Sequence, residues 1–249
     1  MLLATSRLIT IEGKGQEVAL NSILNLFRKK LRRLGFEVIR YRSCPKWPGD
    51  KDRFEYQKQL VQFDIPAGSV VLDIGSGHYP FPLATILADL YTEDTPHRAE
   101  QLVRDGRPFV VLDVHHLPFA DKSIDFVCCS HVLEHADDPA QACSELIRVA
   151  HRGYIETPTF ASDMLFSWAS TSNHKWHIVA INNNLLFFEY TVRQQKGIQS
   201  PIWRVLIQSA DDHPLQEAYY NNRDLFNVMF SWENEFNYEV YELDNMKKL

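Results

Sequence analysis

Apolar positions follow two different spacings along the chain, and a third stretch has none. From Gln16 to Leu34 they recur at Ala19, Ile23, Phe27, Leu31 and Leu34, with the basic run RKKLRR across the other face, which predicts an amphipathic helix. Further on they gather into short continuous runs, SVVLDI, TILAD, FVVLDV, DFVCCSH and GYIETP, rich in β-branched and aromatic side chains, as strands buried on both faces should be. Between the last two, DPAQACSELIRVA returns to a helical spacing, with Pro139 in its first turn and Ala142, Leu146, Val149 and Ala150 on one side. This alternation predicts a parallel sheet wound on both faces by helices. Beyond Thr157 the regularity fades. LLFFEY and FNYEVYEL predict two more strands, read as antiparallel additions to a sheet edge, and the stretch between them has no period.

Composition narrows the picture modestly. A chain of 249 residues that is 45% hydrophobic and 23% charged can bury a substantial core, which argues against extended disorder. The formal net charge of -6 gives no broad electrostatic attraction for nucleic acid. RKKLRR reads either as the solvated face of a packed helix or as a surface for an anionic membrane or substrate. Cys44, Cys128, Cys129 and Cys143 show no metal-ligand spacing and read as reduced thiols of a cytoplasmic protein. No run approaches the roughly 20 apolar residues that a membrane span needs. The turn-rich YRSCPKWPGD, from Tyr41 to Asp50, predicts a connector between the N-terminal helix and the main domain.

In an open parallel sheet, ligands bind beyond the carboxyl ends of the strands. The residues found there form a set: Asp73, Gly75 and Gly77 after the first strand, Asp89 after the second, Asp113 after the third, and Ser130, His131 and His135 after the fourth. Glycines let the backbone approach a ligand, and a carboxylate at the neighbouring strand end can accept both hydroxyls of a ribose. The turn lacks the lysine with which a P-loop reaches phosphates, so the pattern points to a nucleoside.

VLDIGSG, followed by FVVLDVHHLPFADKSIDFVCCSHVLEHADDPAQACSELIRVAHRGYIETP, resembles the core of a class I S-adenosylmethionine-dependent methyltransferase of the type 11-like kind, over about Ser69 to Pro158. The resemblance implies an α/β fold, a Rossmann-like three-layer sandwich with a seven-stranded, mostly parallel sheet whose last strand is antiparallel. It also implies S-adenosyl-L-methionine lying over the first four strand ends. Asp73, Gly75 and Gly77 would then serve the methionine and ribose side, Asp113 the adenine amino group, and the Val114 amide the ring. Ser130 and His131 would lie beside the methionine and face the acceptor.

The chain departs from the family pattern at Tyr79, where many members have a third glycine, and at Pro80 and Pro82, in place of a long first helix. The ribose acid is Asp89 if TILAD is the second strand, or Glu93 if the strand runs on through LYT. The compressed form resembles methyltransferases with a GSGxNP-like turn and favours Asp89. On this reading the chain is a single domain, 1–249, with an N-terminal helical extension over 16–50, a cofactor core over 69–158 and acceptor-side elements over 159–249.

Methyl transfer from a sulfonium chiefly needs a positioned nucleophile and the exclusion of water, while an alcohol acceptor must also lose a proton. His131 is the candidate general base by position; its other reading is that it shapes the pocket. His135 reads as ordering the turn before the helix. His174 and His177, with Trp176 between them and Trp168 nearby, belong either to an acceptor pocket or to a packed lid. No metal is expected, because HKWH offers no identifiable third ligand. The expected acceptor is a small metabolite or glycan-like molecule, methylated on oxygen or nitrogen. The alternatives are an RNA or protein acceptor, or a module that binds the cofactor without catalysis.

Overall fold

Each of the five apolar runs forms a strand in the computed structural model, which describes residues 27, 29–31, 33–34, 53–93, 101–166, 173–195 and 221–243. These are β1 (Val71–Ile74), β2 (Ile86–Asp89), β3 (Phe109–Val111), β4 (Phe126–Ser130) and β5 (Arg152–Pro158). They pair in parallel in the order β3-β2-β1-β4-β5. A sixth strand, β8 (Asn227–Glu233), closes the sheet antiparallel to β5, in register from Arg152 opposite Glu233 to Pro158 opposite Asn227.

The main sheet therefore has six strands among the described residues, where seven were expected, and its antiparallel member is not the one that the sequence suggested. LLFFEY and FNYEVYEL form β7 (Asn184–Glu189) and β9 (Asn237–Tyr241), which pair in parallel with one another. Together with β6 (Trp176–Ile181) they build a separate three-stranded sheet, in the order β6-β7-β9. β8 escaped the pattern because it serves two layers: Phe230 and Trp232 point into one core cluster while Met229 packs against the other.

Strand alternation sorts the core into two faces. On the first, Leu72, Val127, Cys129 and Ile155 meet α2 (Pro139–Val149) through Ala142, Leu146 and Val149. The second sheet contributes Trp176, Ile178, Leu185 and Phe187 to the same cluster. On the other face, Val71, Leu87, Phe126, Cys128 and Tyr154 are covered by Phe81 and by Phe54, Val61 and Phe63, which come from α1 (Arg53–Leu60) and the segment after it. Three layers result, with a helix on each face, although among the described residues α2 is the one helix that crosses between parallel strands. Its start is fixed by Asp138, whose carboxylate accepts the Gln141 amide at 2.9 Å, an N-cap of the kind that contributes about 1 kcal/mol.

The chain divides into two compact units, Met1–Ser43 and Cys44–Leu249. In the first, residues 27 and 29–31 are helical, and Lys29, Lys30 and Arg33 are exposed. Residues 33 and 34 form a turn, so the helix stops short of the Leu34 expected; the rest of the span 16–34 lies outside the described residues, as do the connector 41–50, Cys44 and Trp168. Cys128, Cys129 and Cys143 are free, buried thiols. No helix among the described residues is long and apolar enough to cross a membrane.

Candidate active site

β1 ends in a turn whose backbone only glycine adopts readily, with φ of +72° at Gly75 and +50° at Gly77. The amides of Gly75 and Ser76 donate to the Ala88 carbonyl at 2.8 and 2.9 Å, and the Gly77 amide donates to the Asp89 carboxylate at 3.1 Å. The turn is thus stitched to the end of β2. The prolines that follow replace a helix with a hook: Phe81, between Pro80 and Pro82, buries its ring against Phe54, Phe63 and Phe126 while its amide donates to Asp73 at 2.7 Å.

A Cβ on Gly75 would stand 2.3 Å from a methyl of Val132. Positive φ adds strain to that clash, so Gly75→Ala should lower stability by about 1–3 kcal/mol. The midpoint of urea unfolding measures this, and a variant as stable as the wild type would mean that Val132 yields freely.

Beside the turn lies a cleft of about 420 Å³ lined by Arg53, Gln57, Asp73, Tyr79, Phe81 and Ser130, among others. Burial pushes the Asp73 carboxyl up to about 7, against the Phe81 amide and the Arg53 and Arg107 guanidiniums, with Asp89 adding to the rise. The Ser130 hydroxyl is buried without a hydrogen-bond partner and lines the same cleft. Tyr79 is 47% exposed, so its ring forms part of the rim and does not plug the space.

The remaining strand-end residues stand beside this cleft rather than in it. Asp89 is the last residue of β2, and its carboxylate accepts the Gly77 and Tyr91 amides; Glu93 lies beyond the strand. Asp113 follows β3 by two residues and accepts both the amide and the Nδ1 of His115. Burial alone would raise its pKa, but the His115 contacts outweigh it and hold the carboxyl low. Val114 is buried in the first core cluster.

His131 opens a polar network that the sequence did not show. It follows β4 with φ of +57°, rare for a side chain of this size, and its amide donates to the Glu156 carbonyl at 2.7 Å. Its Nε2 lies 3.2 Å from Glu156 and its Nδ1 3.4 Å from Glu134, both fully buried acids. Burial disfavours the charged ring, yet these two carboxylates outweigh it and raise the His131 pKa. Glu156 also accepts from the hydroxyls of Tyr56 and Tyr154 and, at 2.9 Å, from the Gln57 amide. Arg53, Tyr56 and Gln57 share one side of α1, a helix with no apolar period to announce it. The available signal was an Arg-x-x-Tyr-Gln spacing, which joins one helical face.

The histidines of HKWH part company. His177 sits half-buried against Phe160, Phe188 and Tyr190, and burial lowers its pKa despite Asp163. His174 turns inward beside His135, with ring centroids 4.8 Å apart.

Residues 72–155 match the family model described as "Methyltransferase domain". An uncharacterized methyltransferase of Mycobacterium leprae (strain TN) is 35% identical over 95 residues, covering 35% of this chain and 35% of that protein. One from Mycobacterium sp. (strain JLS) is 32% identical over 100 residues, covering 38% of this chain and 40% of the other. The matches span little more than a third of these curated relatives' length. Among solved structures, a chain of the Haloferax volcanii complex between the Trm112 methyltransferase activator and a methyltransferase aligns with a TM-score of 0.43 and 14% identity, over 75% of this chain and 92% of that one.

Proposed function

We propose that this chain, whose residues 72–155 match a methyltransferase-domain family model, is a class I S-adenosylmethionine-dependent methyltransferase that moves a methyl group from S-adenosyl-L-methionine to an oxygen or nitrogen of a small metabolite or glycan-like acceptor. One observation carries the cofactor half of this reading. Asp73, Asp89 and Asp113 stand at or just past the ends of β1, β2 and β3, adjacent parallel strands, around a glycine turn that is hydrogen-bonded to the end of β2.

The residues present suit the cofactor. The unpartnered Ser130 hydroxyl and the Asp73 carboxyl offer polar contacts to a methionine tail, and Arg53 supplies positive charge for its carboxylate. Asp89 closes β2 with its carboxylate at the glycine turn, where a ribose acid belongs, and Asp113 is half-exposed at the adenine side. When bound, S-adenosylmethionine supplies the electrophilic methyl; the chain's own residues hold and orient it.

His131 stands at the acceptor end as a brace held between Glu134 and Glu156. For it to take the acceptor's proton, as expected from position, the ring must leave Glu134 or Glu156. An apolar shelf of Phe160, His177, Phe188 and Tyr190 lines a second cleft of about 420 Å³ and suits a small acceptor with a flat or apolar part.

Isothermal titration with S-adenosylhomocysteine is the direct test. The wild type binds, and Asp113→Ala weakens binding by about tenfold. A chain that binds neither this product nor the donor would sink the reading, and an unchanged Asp113→Ala would remove that residue from the site.

A further inference from the structure

We propose that Glu134, His135 and His174 form a binding site for one divalent transition-metal ion, zinc being the best match, at the turn that follows β4. The ligand atoms of these three residues lie within 4.8 Å of one another. Glu134 and His135 come from the short 3₁₀ turn Leu133–His135 that follows β4. His174 arrives from far along the chain and is strapped to that turn: the Lys175 amide donates to the Glu134 carbonyl at 2.8 Å, and the Trp176 indole donates to the Ala136 carbonyl at 2.7 Å.

Two features separate this cluster from a packed group of polar side chains. The Oε2 of Glu134 is buried and has no hydrogen-bond partner, although the residue is only 1% exposed. An unpaired carboxylate oxygen in the interior is costly, and a cation among these three groups would satisfy it. The second feature is the orientation of His174. Its Nδ1 lies 2.8 Å from Asp163, which is fully buried and also accepts the Tyr190 hydroxyl at 2.7 Å. That carboxylate holds the ring proton on Nδ1 and leaves the Nε2 lone pair for the cluster, as the second layer of a metal site does.

Two imidazoles and one carboxylate select a borderline ion such as zinc over magnesium or calcium, which take oxygen ligands. A four-coordinate ion with bonds of about 2.1 Å sets its ligands roughly 3.4 Å apart, so binding draws the three side chains together. Three protein ligands leave a fourth position open.

The use of that position rests on the methyltransferase reading. An acceptor hydroxyl bound there loses its proton to solvent more readily. Its oxygen then forms a bond to the methyl carbon as the carbon–sulfur bond breaks, and the electron pair stays on sulfur. The acceptor class is therefore a hydroxyl compound able to ligate a metal, a catechol-like or vicinal diol being the simplest.

The test uses the full chain, stripped with a chelator and dialysed against Zn²⁺, Co²⁺ or Mn²⁺, with metal content measured by mass spectrometry and affinity by competition with a chromophoric chelator. The proposal expects one equivalent of Zn²⁺ per chain and visible d–d bands with Co²⁺. Glu134→Gln, of nearly the same shape, and His174→Ala should each weaken binding by more than tenfold, and Asp163→Asn by about 10–100-fold. S-adenosylhomocysteine binding by each variant reports that the fold is intact. A wild type that retains no ion, or variants that hold it as tightly as the wild type, would overturn the site. If the ion binds but S-adenosylhomocysteine does not, the methyl-transfer reading fails and the metal site stands; the reverse result does the opposite.

Discussion

Glu156→Ala should lower the free energy of unfolding by about 3–5 kcal/mol, the effect of removing one partner from a buried, charged hydrogen-bond network. Glu156 is fully buried, and its two oxygens take hydrogen bonds from Tyr56, Tyr154, Gln57 and His131. Alanine leaves two phenols and an amide unpaired and takes a carboxylate away from the His131 ring. Because Tyr56 and Gln57 ride on α1 while His131 follows β4, the loss also loosens the wall of the cleft. Glu156→Gln retains shape and one acceptor, so its effect should be smaller. Urea unfolding followed by circular dichroism gives both values, and a Glu156→Ala variant within about 1 kcal/mol of the wild type would show that the network contributes little.

The second large effect is a dependence on pH set by Asp73. Burial raises its folded pKa to about 7, so between the ordinary aspartate range and that value the folded state keeps a proton that the unfolded chain has released. Stability contributed by this group therefore falls as pH rises from about 4 to about 7, and is constant on either side. Asp73→Asn cannot ionise, and its side-chain oxygen can still accept the Phe81 amide. The stability of Asp73→Asn relative to the wild type should thus grow by on the order of 2–4 kcal/mol between about pH 4 and pH 8. Unfolding curves for both proteins across that range decide the matter; a pH-independent difference would mean that the carboxyl titrates as if in water.

What could be read from the residues alone follows from how local each signal is. The five parallel strands were legible because each is a short apolar run ending in a turn, and α2 because its helical face is backed by a capping acid and an early proline. α1 was not: the residues it buries most deeply are Tyr56 and Gln57, so its inward face is polar and leaves no hydrophobic period. β8 was missed although Val228, Phe230 and Trp232 alternate toward one core cluster, because Met229 packs against the other and breaks the apolar-polar period. At the site, the acids closing β1 and β2 were legible from position, and the structure makes Asp89, not Glu93, the end of β2. Glu156 was invisible as anything but a residue in an apolar run, since all its partners but Tyr154 come from distant residues, 56, 57 and 131. His174 was paired in sequence with His177, but it faces the 3₁₀ turn because chain-distant contacts at Glu134 and Ala136 hold it there.

The missing helix after the glycine turn changes which anions the cleft can hold. A helix beginning there would aim a bundle of free amide dipoles at the ligand and could grip a doubly charged pyrophosphate. Residues 75–85 contain none, and among the described residues the permanent positive charge lining the cleft is carried by Arg53 on α1. Counter-charge at this end is thus delivered from outside the sheet, by an element upstream of every strand among the described residues. A proteolytic nick that released α1 would take it away while leaving the strand order untouched.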